Sequence, residues 1–179
     1  MLINRTQIDL QQGDITQQTT DAIVNAANQH LAGGGGVDGA IHRAAGLIPL
    51  QLACRRIGHC PPGQAVITPG FKLQARYIIH AVGPIYQSGS EEPPRLLASA
   101  HRSSLELAVA HELTSIAFPA ISTGIYGYPM AEAATIALQA ARDFALRDSR
   151  LALIRFVLFD AAALATFSRA LEAIAPPEA

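Results

Sequence analysis

The stretch that decides the fold runs from residue 22 to residue 46 and reads AIVNAANQHLAGGGGVDGAIHRAAG. It begins with a short apolar run typical of a buried strand, and it enters a helical pattern after four consecutive glycines, Gly33 to Gly36. Ordered glycines are entropically costly, so the run indicates a positive φ or a close approach to a ligand. Backbone amides leading into a helix favour an anion, which predicts a phosphate-binding loop; the alternative is a flexible surface loop.

Outside this stretch, short apolar runs alternate with longer helical patterns, which predicts an α/β fold with helices on both faces of a sheet. The predicted strands are 2–10, 22–26, 64–68, 76–82, 115–120 and 152–159. The predicted helices are 37–45, 50–57, 95–112, 131–147 and 161–174. Glycines and prolines fall at the junctions between these elements, and residues 176–179 are expected to form a frayed end.

Length and composition predict one domain spanning residues 1–179, because 18.9 kDa suits a single core and half of the residues are hydrophobic. Only 15% are charged, which excludes a disordered chain. The net charge of −1 supplies no broad positive field and argues against nucleic-acid binding. The amino terminus lacks signal-peptide features, and Arg155 and Asp160 interrupt the longest apolar region, so we expect a cytosolic protein without membrane contact.

Metal and cofactor motifs are incomplete. Cys54 and Cys60 lack a second ligand cluster at zinc spacing, so free thiols and no metal are expected. The glycines include a G-x-G-x-x-G pattern, but no Asp or Glu occurs between Asp38 and Glu91, which argues against a dinucleotide cofactor. The single lysine, Lys72, does not fit a nucleotide-triphosphate loop. No cofactor is predicted.

A second glycine-bearing turn, residues 122–129, reads STGIYGYP and again joins a predicted strand to a predicted helix. Two such loops at the carboxyl ends of two strands can hold a diphosphate from both sides. Tyr126 could cover the ligand or could be an ordinary loop aromatic.

Polar side chains flank the first loop. Asn25 and Asn28 could bind sugar hydroxyls, although capping of an Asx turn would explain either residue alone. Asp38 and His42 are four residues apart and share a helix face. A carboxylate beside a phosphate is a candidate general base for water, whereas stabilisation of the helix dipole is the simpler explanation of Asp38. His42 either orients Asp38 or is a core histidine.

Two residues at other predicted strand ends could contact a base. Asp14 could accept from an exocyclic amine, or it could simply form a Gly-Asp turn. Phe159 could stack on the base, or it could pack in the core.

Several blocks in order along the chain resemble the macrodomain family, specifically its MacroD-type hydrolase branch, as in the bacterial O-acetyl-ADP-ribose deacetylases. The blocks are GDIT at 13–16, DAIVNAAN at 21–28, GGGGVDGAIHRAAG at 33–46, GQAVIT at 63–68 and PAISTG at 119–124. The resemblance covers nearly the whole chain.

This resemblance implies a three-layer α/β/α fold around a mixed, mostly parallel sheet of about six strands, with a cleft for ADP-ribose. Asp14 would bind the adenine amine beside the backbone amide of Ile15, and Phe159 would lie on the base side. Asn25 and Asn28 would position the distal ribose. The diphosphate would contact Gly33, Gly34, Gly35, Gly36 and Val37 in the first loop and Ser122, Thr123, Gly124, Ile125 and Tyr126 in the second.

The implied reaction is hydrolysis of an ester between a ribose hydroxyl and either acetate or an Asp or Glu of a modified protein. Asp38, supported by His42, or a diphosphate oxygen would activate the water. One departure from the family pattern is Ala163, where relatives often carry an asparagine after the Phe159-Asp160 pair. Alternatives are a reader that binds ADP-ribose without cleaving it and a phosphatase acting on ADP-ribose phosphate.

Overall fold

A computed structural model describes residues 1–175, and these form a seven-stranded sheet with helices on both faces. The strands are β1 (Leu2–Ile3), β2 (Thr6–Gln12), β3 (Ala22–Ala26), β4 (Ala65–Pro69), β5 (Tyr77–Ala81), β6 (Ser115–Phe118) and β7 (Leu153–Leu158). Their order across the sheet is β1-β2-β7-β6-β3-β5-β4. The two edge pairs, β1 with β2 and β4 with β5, are antiparallel, and the central strands run parallel. The predicted mixed, mostly parallel sheet is therefore confirmed.

The strand count differs from the predicted six because the first predicted strand is two strands. Asn4 has a φ of +52° and turns the chain back between β1 and β2. Asparagine tolerates this left-handed conformation better than most residues, and the apolar pattern does not reveal the turn.

The described helices are α1 (Gly36–Ala45), α2 (Leu47–Ile57), α3 (Glu92–Ala110), α4 (Met130–Arg147) and α5 (Ala161–Ile174). Helix α3 begins three residues before the predicted start at 95 and includes Pro93 and Pro94. Proline is tolerated in a first turn, where the missing N–H would have no partner in any case. Helix α2 likewise accommodates Pro49 in its first turn.

Alternating side chains of the strands supply two apolar cores, one on each face of the sheet. Helices α3, α4 and α5 cover one core, to which β3 contributes Ala22 and Val24. Helices α1 and α2 cover the other core, to which β3 contributes Ile23. Asn25 follows at the same two-residue period and so lies on the α1 side of the sheet. The three-layer arrangement thus places the polar side chain of Asn25 directly beneath α1.

Within residues 1–175, no helix is long and apolar enough to cross a membrane. Cys54 and Cys60 are both buried and unbridged. The predicted frayed end, residues 176–179, lies outside the described residues.

Candidate active site

A cleft of about 300 Å³ opens at the carboxyl edge of the three neighbouring strands β6, β3 and β5. The loop after β3 and the loop after β6 form its two walls, as predicted for a ligand site in an open α/β sheet. Its lining residues are Ala26, Ala27, Asn28, Gly34, Gly35, Gly36, Val37, Asp38, Gly83, Ala120, Ile121, Ser122, Gly124, Ile125 and Tyr126.

The first wall is the glycine loop at the amino terminus of α1. Gly33 and Gly36 have φ values of +77° and +57°, so both use the backbone freedom that the sequence indicated. Gly39 is required for a different reason: a Cβ there would lie 2.6 Å from the carbonyl oxygen of Gly34. The loop is therefore packed against its own helix, with backbone amides at the positive end of the helix dipole.

The second wall is the turn after β6. Ser122 has a φ of +67°, and its buried hydroxyl has no hydrogen-bond partner among the described residues. Ile125 is 99% exposed at the rim of the cleft. Gly83, which follows β5, abuts the Ser122 hydroxyl, and a Cβ at that position would clash with it. Glycines and prolines were assigned only to the junctions between elements, so this contact was not predicted from the sequence. The position of Gly83 directly after a strand was the signal that could have indicated it.

Asp38 combines burial with a lining position in the cleft. Its side chain is in the first turn of α1, and the residue is only 6% exposed. The Oδ1 atom accepts a hydrogen bond of 2.9 Å from Asn25 Nδ2 and lies 2.9 Å from His42 Nδ1. None of the described residues donates to Oδ2, which lies beside Gly34. The carboxylate is thus held through one oxygen, while the other remains free.

His42 packs under the glycine loop, on the side of Asp38 away from the cleft. The hydrogen bond to the Asp38 side chain raises the pKa of His42 to about 10, and the nearby thiol of Cys54 contributes further in the same direction. The same Nδ1 lies 2.9 Å from the backbone carbonyl oxygen of Asp38, and the raised pKa favours a protonated imidazole that pairs with the Asp38 carboxylate at neutral pH. Of the two interpretations of His42, orientation of Asp38 agrees with this contact.

Asn25 is fully buried beneath the cleft and does not line it. Its Nδ2 atom lies between Asp38 Oδ1, at 2.9 Å, and His80 Nδ1, at 3.1 Å. His80, on β5, was not predicted from the sequence, because a histidine inside an apolar strand gives no sign of the neighbour it meets across the sheet.

Asn28 lines the cleft and also caps the glycine loop. Its Nδ2 donates to the Gly33 carbonyl at 2.9 Å, and its Oδ1 accepts from the backbone N–H groups of His30 and Ala32. The structure therefore shows the turn-capping role that was one of the two interpretations of Asn28. Its side chain holds the conformation of the glycine loop, which forms the first wall of the cleft.

Besides Asn25 and His42, five predicted site residues do not line the cleft, and these are Gly33, Asp14, Ile15, Thr123 and Phe159. Asp14 accepts from the backbone and hydroxyl of Thr16, and Ile15 is buried in the core under α1. Thr123 donates to the Ala120 carbonyl. Phe159 is 89% exposed, so the core-packing alternative for this residue is wrong.

The His42–Asp38 pair predicts a dependence of stability on pH. A histidine that titrates near 6.5 in the unfolded chain and near 10 in the folded protein binds more protons when folded between these values. The contribution of His42 to the free energy of unfolding is complete below pH 6.5 and is lost as the pH rises towards 10. We expect the free energy of unfolding to fall over this window in the parent protein, and His42→Gln to lack this part of the fall.

Urea unfolding at a series of pH values measures the difference between the two proteins. Asp38, Cys54 and His80 are the titratable groups around His42, and they are the same in both. Burial also raises the pKa of Cys60 to about 11, so both proteins lose additional stability above pH 9. Parallel curves between pH 6.5 and 9 would show that the pair does not form.

The geometry has counterparts among known proteins. The family model described as Macro domain matches residues 24–137. An O-acetyl-ADP-ribose deacetylase from Cronobacter turicensis is 54% identical over 157 residues, which are 86% of this chain and 89% of the relative. A solved Oceanobacillus iheyensis macrodomain with ADP is 44% identical with a TM-score of 0.93, and the match covers 97% of this chain and 94% of that one. A Trypanosoma brucei macrodomain in complex with ADP-ribose is 41% identical with a TM-score of 0.85, covering 90% and 68%.

The chain belongs to the macrodomain family. The resemblance inferred from the sequence blocks and the predicted three-layer fold are both confirmed.

Proposed function

We propose that this protein binds ADP-ribose in the cleft and hydrolyses acyl esters of it. The observation that carries the proposal is the Asp38 carboxylate, which is held through Oδ1 by Asn25 and His42 and leaves Oδ2 free beside the glycine loop. The similarity to a relative named O-acetyl-ADP-ribose deacetylase and to macrodomains solved with ADP or ADP-ribose supports it.

In the proposed reaction, Asp38 accepts a proton from a water molecule that attacks the acyl carbon of the ester. The developing oxyanion is stabilised by backbone amides of the two loops, and when the bond between the acyl carbon and the ribose oxygen breaks, that oxygen takes the proton from Asp38 and leaves as a hydroxyl. The diphosphate lies between the glycine loop and residues 122–126, with the distal ribose near Asn28, and the buried Asn25 acts on this end of the cleft from beneath it. Asp14, Ile15 and Phe159 are on the adenine side.

A buried carboxylate favours the hydrolase over a reader that only binds. A negative charge beside a bound diphosphate weakens binding, so a pure binder gains nothing from it. The ion pair with His42 offsets the burial of Asp38 and keeps it in place. Two substrates are proposed, free O-acetyl-ADP-ribose and mono-ADP-ribose on an Asp or Glu of a protein. A single domain spanning 1–179 and a cytosolic location are part of the same proposal.

Product analysis tests the proposal and separates it from the alternatives. The protein is incubated with O-acetyl-ADP-ribose, with a protein ADP-ribosylated on glutamate, and with ADP-ribose phosphate, and the products are separated. Release of acetate or of free ADP-ribose from the first two substrates is expected. Calorimetric binding of ADP-ribose without any turnover would identify a reader, and release of inorganic phosphate alone would identify a phosphatase.

Asn25→Ala is expected to lower kcat on O-acetyl-ADP-ribose by about tenfold or more, because Asp38 loses the donor that holds Oδ1. The matched control is Val24→Ala, the preceding fully buried residue of β3, whose side chain faces the opposite core. That variant should lose stability while the folded fraction keeps its kcat. Stopped assays combined with thermal melts measure both quantities, and a full kcat in Asn25→Ala would assign Asn25 a purely structural role.

A further inference from the structure

A row of buried polar side chains crosses beneath the cleft. This buried polar row consists of Thr68 on β4, His80 on β5, Asn25 on β3 and Asp38 on α1, each at most 6% exposed. The three strands are neighbours, and Asn25 and His80 occupy paired positions in the parallel register. Polar groups in an apolar core are costly unless each one is hydrogen-bonded. Each side chain of the buried polar row is therefore expected to have a hydrogen-bond partner within the protein.

The hydrogen bonds of the row run in a defined direction. A carboxylate only accepts, so the Asn25 amide nitrogen donates one hydrogen to Asp38 and has one left for His80 Nδ1, 3.1 Å away. His80 Nδ1 must then be unprotonated, and the ring proton is on Nε2. That proton reaches Thr68 Oγ1 at 2.9 Å, and the Thr68 hydroxyl donates to the Pro69 carbonyl. Every donor in the row meets an acceptor.

Burial keeps His80 in this neutral form. Loss of solvent lowers the pKa of His80 to about 4, and the positive charge of His42 acts in the same direction. A neutral ring with a free Nδ1 lone pair accepts only the nitrogen end of the Asn25 amide. The reversed amide would place its oxygen against both the ring lone pair and the Asp38 carboxylate. His80 therefore provides a second acceptor for the same end of Asn25 that the Asp38 carboxylate binds, and so reinforces that orientation of the amide.

We propose that His80 is a positioning residue, which accepts a hydrogen bond from Asn25 and so keeps the Asn25 nitrogen on Asp38 Oδ1 while Oδ2 stays free to act on water. His80 does not line the cleft and acts through Asn25 alone. The Asn25 oxygen has no partner among the described residues, which is the expected cost of committing the nitrogen end to the row. This inference rests on the proposed hydrolase function.

The test compares His80→Asn with His80→Gln. Asparagine places a carbonyl oxygen close to the position of Nδ1, whereas glutamine extends its polar end towards Nε2 and Thr68. We expect His80→Asn to keep a kcat close to that of the parent protein. We expect His80→Gln to lose roughly tenfold or more in kcat with little change in KM, because a small misplacement of a reacting group is costly.

His101→Gln is the control for the loss of any buried histidine. His101 is fully enclosed against Phe118 in the opposite core, and its Nδ1 bonds to the Leu97 carbonyl. This variant should melt at a lower temperature and keep its kcat per folded molecule. A full kcat in His80→Gln, or an equal loss in His80→Asn and His80→Gln, would overturn the proposal. Should His80→Gln not fold, the protonation of the His80 ring in the parent protein, measured by nitrogen-15 spectra, decides the proposal.

Nitrogen-15 spectra of the histidine rings provide a readout that does not depend on turnover. The parent protein should show a His80 ring that is neutral at pH 7, protonated at Nε2 and unprotonated at Nδ1. A protonated Nδ1 overturns the inference whatever the activity. If the parent protein binds ADP-ribose and hydrolyses no ester, the proposed function fails, and the ring spectra with the carboxyl carbon resonance of Asp38 decide the inference. That resonance should move in His80→Gln and stay in place in His80→Asn.

Discussion

Asp38→Asn is expected to lower kcat on O-acetyl-ADP-ribose by about a hundredfold to ten-thousandfold, which is the usual contribution of a positioned general base. The amide has the shape of the carboxylate and can still accept the hydrogen bond from Asn25. It cannot take a proton from water. The affinity for ADP-ribose should stay the same or increase, because a negative charge beside the diphosphate has been removed. Initial rates and calorimetry on the same preparation measure both effects.

Asp148→Asn is the matched control for this variant. Asp148 follows α4 and pairs with the exposed Arg150, and it does not line the cleft. Its replacement should leave both kcat and the affinity for ADP-ribose unchanged. If Asp38→Asn turned over at the parent rate, the proton would have to be taken by another group, such as an oxygen of the bound diphosphate.

Gly35→Val is expected to weaken ADP-ribose binding by about tenfold to a hundredfold, the range that corresponds to the cost of overfilling a packed site. Gly35 lines the cleft, and a Cβ built on it meets no protein atom within 4 Å. Its φ of −92° is allowed for any residue, so the fold should be unaffected. The added side chain would occupy space that the ligand needs against the backbone. Calorimetric titration with ADP-ribose measures the loss.

Two further glycine variants distinguish an effect on ligand binding from an effect on the stability of the fold. Gly35→Ala should weaken binding less than Gly35→Val and leave the melting temperature unchanged. Gly39→Ala should lower the melting temperature, because its Cβ would lie 2.6 Å from the Gly34 carbonyl oxygen. Unchanged affinity in Gly35→Val would mean that the ligand does not approach this loop.

The sequence was sufficient to predict the fold and the two loops, because both depend on local patterns. Alternating apolar runs place the strands, and the run from Gly33 to Gly36 marks a loop in which Gly33 and Gly36 have a positive φ that glycine adopts readily. The turn at Asn4 was missed because one residue with a positive φ leaves no trace in the apolar pattern. The early start of α3 was missed because proline ends most helices but is also suited to their first turn.

The contacts beneath the cleft could not be predicted, because they depend on pairing between distant strands. His80 and Asn25 are 55 residues apart and meet only through the register of β3 with β5. The close contact of Gly83 with Ser122 has the same origin, since each residue follows a different strand. The roles of Asp14, Ile15 and Phe159 stay predictions, because none of them lines the cleft.

Asp38 is buried and Ile125 is exposed, and this difference determines which positions of the cleft can be replaced without disturbing the carboxylate. The acid is enclosed by side chains rooted in a helix and two strands, whereas Ile125 projects from a turn with almost all of its surface in solvent. We expect replacements of Ile125 to leave the buried contacts of Asp38 undisturbed. The rim of the cleft can therefore change one surface residue at a time, while the interior stays constant.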